Sequence, residues 1–182
     1  MLSILIVEDE PLFAETLRHL VELNPLYRVT ALAEDRVGAL ASVAERRPDL
    51  ALVDLQLAHG NTGFAVAAKL NDHGIPCLFT TGKPPDFPLP DLALGCLVKP
   101  FSEEDLVRAL KTAEDLIRGR SCLRPSRPAN LRLYAEEAEA AAAAPPSPLP
   151  LPAHPLARPG LKARAGRLWR RLGVGQASFR SG

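Results

Sequence analysis

The stretch Ile4-Leu5-Ile6-Val7-Glu8-Asp9-Glu10 runs four apolar, strand-forming residues into three carboxylates. Other polar groups occupy the same kind of place: Asp54 follows Leu50–Val53, Thr80 and Thr81 end the run that begins at Ile75, and Lys99 ends Gly95–Val98. Carboxylates that converge repel one another and drift upward in pKa unless a cation neutralises them, and clustered oxygen ligands suit the hard ion Mg2+. A lysine on the far side adds a fixed positive charge. Together with a metal it favours an incoming anion, and a phosphoryl group needs that double neutralisation.

Alternating elements must bring these residues together. Residues 1–120 hold β-type runs at Leu2–Val7, Arg28–Ala33, Leu50–Val53, Ile75–Thr80 and Gly95–Val98, with helical patterns such as Phe13, Leu17, Leu20 and Val21 between them. That alternation predicts a parallel sheet covered on both faces, with its chemistry at the carboxyl ends of the strands near the switch in strand order. The last helix has the clearest punctuation: Ser102 as N-cap with Asp105 three residues on, a buried stripe of Leu106, Ala109, Leu110, Ala113 and Ile117, and Gly119 as stop. Pro11 fits the first turn of the first helix.

The motifs "VED" after the first run, "LVDLQLAHGNTG" around Asp54, "TTG" after the fourth and "VKPF" after the fifth are similar to the receiver domains of two-component response regulators, over about residues 1–120. The resemblance implies a flavodoxin-like, doubly wound α/β fold with a five-stranded parallel sheet of order 2-1-3-4-5. It implies Asp54 as phosphoacceptor and Mg2+ as cofactor, with Asp9 and Asp54 as direct ligands, the main-chain carbonyl of Gln56 completing them and Glu8 acting through metal-bound water. Thr81 resembles the hydroxyl that moves onto the phosphoryl oxygens, Lys99 the residue that pairs with them, and Gly82 the small residue that leaves them room. Pro100 is expected after a cis peptide bond. The implied partner is a sensor histidine kinase, and the implied output is phosphorylation-dependent protein–protein interaction; such a receiver catalyses its own phosphorylation rather than a metabolic reaction.

Departures from that pattern are specific. Cys96 stands three residues before Lys99, where most receivers carry an aromatic that rotates with the threonine. Pro84, Pro85, Pro88 and Pro90 fall between Thr81 and Lys99, so the fourth helix is expected to shrink to a turn near Asp91–Leu94. Phe79-Thr80-Thr81-Gly82 resembles the F-A-T-G subclass of single-domain receivers, which work with HWE-type kinases, although Thr80 replaces the alanine. The Pro-rich loop Lys83–Pro90 is the expected switch. His59, His73 and Lys83 are expected in solvent, and Glu10 outside the metal shell.

With 182 residues, 47% of them hydrophobic, the chain can bury one ordinary core. Its apolar runs fall far short of the roughly 20 residues of a membrane span, and three cysteines without metal-ligand spacing, Cys77, Cys96 and Cys122, suit a reducing, cytoplasmic setting. Residues 1–120 carry 18 acidic and 12 basic side chains, whereas residues 158–182 carry seven basic and no acidic ones. The domain is therefore expected to end near Arg120, followed by a largely disordered Ala/Pro-rich linker over 121–160, with a helix over Leu131–Ala144, and a basic tail over 161–182. Leu161, Ala165, Leu168, Trp169 and Leu172 would share one face of a tail helix that could meet anionic lipid or nucleic acid. No segment is large enough for a sequence-specific DNA-reading module. A phosphate sink or shuttle without its own output, and an adaptor acting through the basic tail, are the alternative functions.

Overall fold

The computed structural model describes residues 1–58, 62–120 and 127–143. In chain order they form β1 (Leu2–Val7), α1 (Pro11–Glu22), β2 (Tyr27–Ala33), α2 (Arg36–Glu45), β3 (Leu50–Val53), α3 (Gly63–Asp72), β4 (Cys77–Thr81), β5 (Gly95–Val98), α4 (Glu103–Ile117), β6 (Leu131–Leu133) and α5 (Tyr134–Ala143). The strands lie in the order β2-β1-β3-β4-β5-β6, the first five parallel and β6 antiparallel to β5. This is the predicted flavodoxin-like doubly wound sheet with one more strand on its edge.

Alternate strand positions point to opposite faces, and each face buries its own set. Leu5, Val7, Ala51, Val53 and Phe79 share one core with Ala39 of α2 and Val66 and Leu70 of α3. Ile4, Ile6, Leu50, Leu52 and Leu78 share the other with Leu17 and Val21 of α1 and Leu106 and Leu110 of α4. Burial on both faces is why these strands read as unbroken apolar runs.

Local chemistry sets where the helices begin. Pro11 opens α1, and Asp35 accepts from the Gly38 N–H at 2.8 Å at the start of α2. Ser102 and Asp105 form the expected reciprocal box: Asp105 N donates to Ser102 Oγ at 3.1 Å and Ser102 N to Asp105 Oδ2 at 3.0 Å. Gly119 takes the positive φ of 62° that ends the run after α4. Between β4 and β5 the prolines leave a single turn, in which Leu92 N and Ala93 N donate to Leu89 O at 2.9 and 3.1 Å. Leu89, Leu92 and Ala93 pack on the Phe79 face in place of a helix.

The fold does not end where the composition shifts at Arg120. The compact unit runs from Met1 to Ala144, so residues 127–143 leave the expected linker for the domain, and Leu131–Leu133 join the sheet. Leu131 and Leu133 enter the α1/α4 core, while fully buried Tyr134 joins the opposite one, its ring 6.2 Å from that of Phe79. β6 comes so close that a Cβ on Gly95 would lie 2.1 Å from the Arg132 carbonyl oxygen, which requires glycine there. The helix expected over Leu131–Ala144 begins only at Tyr134, because Leu131-Arg132-Leu133 spends its alternation on pairing with β5. The remainder of the linker, with Cys122, and the basic tail lie outside the described residues. Among the described residues no helix is long and apolar enough to cross a membrane.

Tyr134→Ala should destabilise the chain by about 3–5 kcal/mol, read as a lower urea midpoint at unchanged slope. A change below about 0.5 kcal/mol would show that residues 127–143 add nothing to the fold.

Candidate functional site

Main-chain hydrogen bonds carry the sheet pairing one residue past the strand ends and so place the polar groups. Glu8 N donates to Ala33 O at 2.9 Å, Asp54 N to Val7 O at 2.9 Å, and Lys99 N to Thr81 O at 2.8 Å. The chain order reverses between the neighbours β1 and β3, which opens a crevice at their carboxyl ends where Glu8 and Asp54 stand. α3 presses on this corner: a Cβ on Gly63 would lie 2.0 Å from the Asp54 carbonyl oxygen. Only glycine lets the helix begin so near.

Lys99 Nζ donates to Asp54 Oδ2 at 2.8 Å and to Glu8 Oε2 at 3.0 Å. Its ammonium also lies 4.1 Å from the centre of the Phe13 ring of α1, which leans on Phe101 at 6.2 Å. Glu8 is only 4% exposed and Asp54 7%. Burial raises the Glu8 pKa; the hydrogen bond and charge of Lys99 pull it back, and the charge of Asp54 adds to the rise. Burial works against the charged form of Lys99 too, but its bonds to Asp54 and Glu8 together outweigh that and hold its pKa above 10.5. One positive charge is thus shared between two buried acidic groups.

Asp9 stands apart. Its Oδ2 accepts from the Ala58 N–H at 3.0 Å, at the rim of a cleft of about 610 Å³ that Glu34 and Asp35 also line. Gln56 N donates to Asp54 Oδ1 at 2.9 Å. Among the described residues, no three carboxylate, imidazole or thiol side chains are gathered about one point: Lys99 holds Glu8 and Asp54, and Ala58 holds Asp9. The donor set still fits Mg2+, since every candidate ligand is a hard oxygen and two acidic groups share a single lysine.

Thr80 and Thr81 are both buried. Strand alternation sends Thr81 to the Phe79 face and Thr80 to the Leu78 face, and Thr81 Oγ1 accepts from the Lys83 N–H at 3.2 Å. A Cβ on Gly82 would meet nothing within 4 Å, so the space beside it is open. The Lys99–Pro100 peptide is cis. Burial pushes the Cys96 thiol up to about 11 and the Cys77 thiol up to about 12, which keeps both as inert thiols. Lys83 and Glu10 are exposed, as is His73, whose ring pairs with Lys69 O at 2.9 Å. His59 lies outside the described residues.

Three residues that frame the site carry no signal of chemistry in the sequence. Phe13 reads as one member of an apolar stripe and Gly63 as the end of a loop, although its place in "LVDLQLAHGNTG" is informative once the contact with Asp54 is known. Asn130, whose main-chain oxygen accepts from Val98 N at 3.0 Å beside Lys99, lies beyond the expected domain end.

The response regulator receiver domain family matches residues 4–111. The chain belongs to that family. Its receiver is 38% identical over 118 residues to the Positive alginate biosynthesis regulatory protein of Pseudomonas aeruginosa, a match covering 62% of this chain and 47% of that protein. It is 41% identical over 87 residues to the Phyllosphere-induced regulator PhyR of Methylorubrum extorquens, covering 47% of this chain and 32% of that one. The chain therefore spans about half, or less, of the length of these curated relatives. Among solved structures, the PhyR response regulator REC domain of Erythrobacter litoralis aligns with TM-score 0.53 and 28% identity over 70% of this chain and 95% of that domain. A LuxR-family two-component response regulator from Aurantimonas aligns with TM-score 0.57 and 25% identity, covering 78% of this chain and 99% of that one. That share exceeds what residues 1–120 can supply.

In metal-free buffer, Lys99→Met should move the Glu8 titration, followed by carboxyl carbon NMR, to higher pH, because the downward pull of Lys99 is lost while burial and the charge of Asp54 remain. A carboxyl whose folded pKa lies above its ordinary 4.5 stabilises the fold while protonated and loses that contribution as pH rises through the folded value. The thermal midpoint of the receiver variant should therefore fall more steeply than that of wild type above pH 4.5. An unmoved Glu8 titration would contradict the neutralising role of Lys99.

Proposed function

We propose that Asp54 accepts a phosphoryl group from the phosphohistidine of a sensor histidine kinase, and that the resulting acyl phosphate changes which proteins the receiver binds. The observation that carries this reading is the Lys99 ammonium held at 2.8 Å from Asp54 and 3.0 Å from Glu8 at the switch in strand order. A positive charge fixed beside a carboxylate nucleophile is what an incoming phosphoryl group requires.

The chain's own residues divide the work. Asp54 Oδ1 is oriented by the Gln56 N–H, and Oδ2 becomes free to attack phosphorus as Lys99 transfers its hydrogen bond to an incoming phosphoryl oxygen. A P–O bond forms as the P–N bond of phosphohistidine breaks, and the imidazole leaves. Mg2+, held by Asp9, Asp54 and the Gln56 carbonyl with Glu8 acting through water, would offset the charge of the carboxylates and the phosphoryl oxygens when bound. Thr81 would turn its hydroxyl to a phosphoryl oxygen, giving up the hydrogen bond it now accepts from Lys83. With Cys96 in the place of an aromatic, that movement passes to Lys83 and the loop Lys83–Pro90 instead of to a rotating ring. The Phe79-Thr80-Thr81-Gly82 stretch favours an HWE-type kinase as the donor.

With Mg2+ and either kinase or acetyl phosphate, intact mass should show one phosphoryl adduct on wild type, none on Asp54→Asn and none after chelation. No adduct on wild type with any donor would overturn the proposal. Thr81→Ala should still accept the group yet lose the change in amide exchange across Lys83–Pro90. An unaltered response in that variant would show that Thr81 does not drive the loop.

A further inference from the structure

We propose that Asn130, from the segment beyond the region the receiver family matches, is a positioning residue for Lys99. It grips the main chain on both sides of that lysine and so fixes where the ammonium can reach. The inference rests on the phosphoacceptor reading of Asp54.

The grip consists of three hydrogen bonds. Val98 N donates to Asn130 O at 3.0 Å, and Asn130 Nδ2 donates to Val98 O at 3.3 Å and to Pro100 O at 3.4 Å. One residue thus holds positions 98 and 100 and brackets Lys99, whose own N–H goes the other way, to Thr81 O at 2.8 Å. Without it, Val98, the last residue of β5, would keep a strand partner on one side only. The orientation of the amide follows from the same contacts: turned over, its Oδ1 would face two carbonyl oxygens, whereas in the present orientation Oδ1 is buried with no partner among the described residues. The bonds to Val98 O and Pro100 O hold the side chain in place together with a hydrogen bond to the Asp105 carboxylate.

Asn130 is in turn held by the strand it precedes. Leu131 N donates to Pro128 O at 3.1 Å, and Leu131 and Arg132 pair with Leu97 and Cys96. Arg132 donates to Pro85 O at 2.9 Å and pairs with Glu137 at 2.8 Å, while Tyr134 is buried beside Phe79. β6 and α5 anchor a clasp at the end of β5, one residue from the group that must meet the phosphoryl oxygens. Placement at that point matters for rate, because a displacement of about 1 Å in a reacting constellation can cost on the order of a hundredfold.

The test uses the full chain as wild type, Asn130→Ala and Val21→Ala, the last a buried change on α1 remote from the clasp that sets the effect of lowered stability alone. Adduct formation is followed against acetyl phosphate concentration with Mg2+ present. Asn130→Ala should lower the saturating rate about tenfold with the half-saturating concentration unchanged, whereas Val21→Ala should keep the wild-type rate. Amide exchange at Lys99, which needs no phosphoryl chemistry, should speed up in Asn130→Ala and not in Val21→Ala. Equal rates in the two variants, or unchanged Lys99 exchange in Asn130→Ala, would overturn the positioning role. A wild type that takes up no phosphoryl group would defeat the phosphoacceptor reading instead, and the Lys99 exchange would then decide the clasp alone.

Discussion

A single ammonium has to serve two buried carboxyl groups. Glu8 and Asp54 come from adjacent strands, and Lys99 reaches them from β5, past β4. Burying like charges is costly unless a counter-charge and hydrogen bonds come with them, and removing one partner of such a cluster leaves the others uncompensated. The cluster is therefore weak as a source of stability. Its charge is incompletely balanced, and an added cation or a transferable anion with its own metal changes that balance at once.

Much of the remaining structure keeps that cluster in register. The two apolar faces hold the strands so that their carboxyl ends align, and hydrogen bonds from Glu8, Asp54 and Lys99 extend the sheet pairing by one residue into the crevice. Gly63 allows α3 to start against the main chain of Asp54, and Phe13 offers its ring face to the lysine. At the open side of the sheet, β6 and α5 replace what a longer β4–β5 crossover would otherwise cover. Tyr134 is buried beside the small Cys96 in the core of that face.

Fold and site were legible to different depths. The alternation of β-type runs with helical stripes, the Ser102 cap and the prolines after Thr81 each express one local preference, and the observed elements follow them closely. The polar residues at strand ends were legible because the carboxyl ends of parallel strands, near the switch in strand order, are where a ligand crevice forms. Two things were not. Leu131-Arg132-Leu133 is three residues long and lies between proline-rich and alanine-rich chain, so only the unpaired edge of β5, a tertiary feature, makes it a strand. The direct pairing of Glu8 with Lys99, 91 residues away, is likewise a product of strand order. The family resemblance implied a metal shell, whereas Lys99 holds Glu8 and Asp54 and the Ala58 amide holds Asp9.

The most direct measurement is a Mg2+ titration of the full chain followed by nitrogen NMR at Ala58 and Gln56. If the acidic cluster is a cation site held in reserve, the Ala58 amide should shift saturably as Asp9 releases it, Gln56 should shift with it, and Asp9→Asn should abolish both changes. If Ala58 and Gln56 stay in place while Mg2+ rises to millimolar levels, Asp9 is a structural cap and the account of the site is wrong.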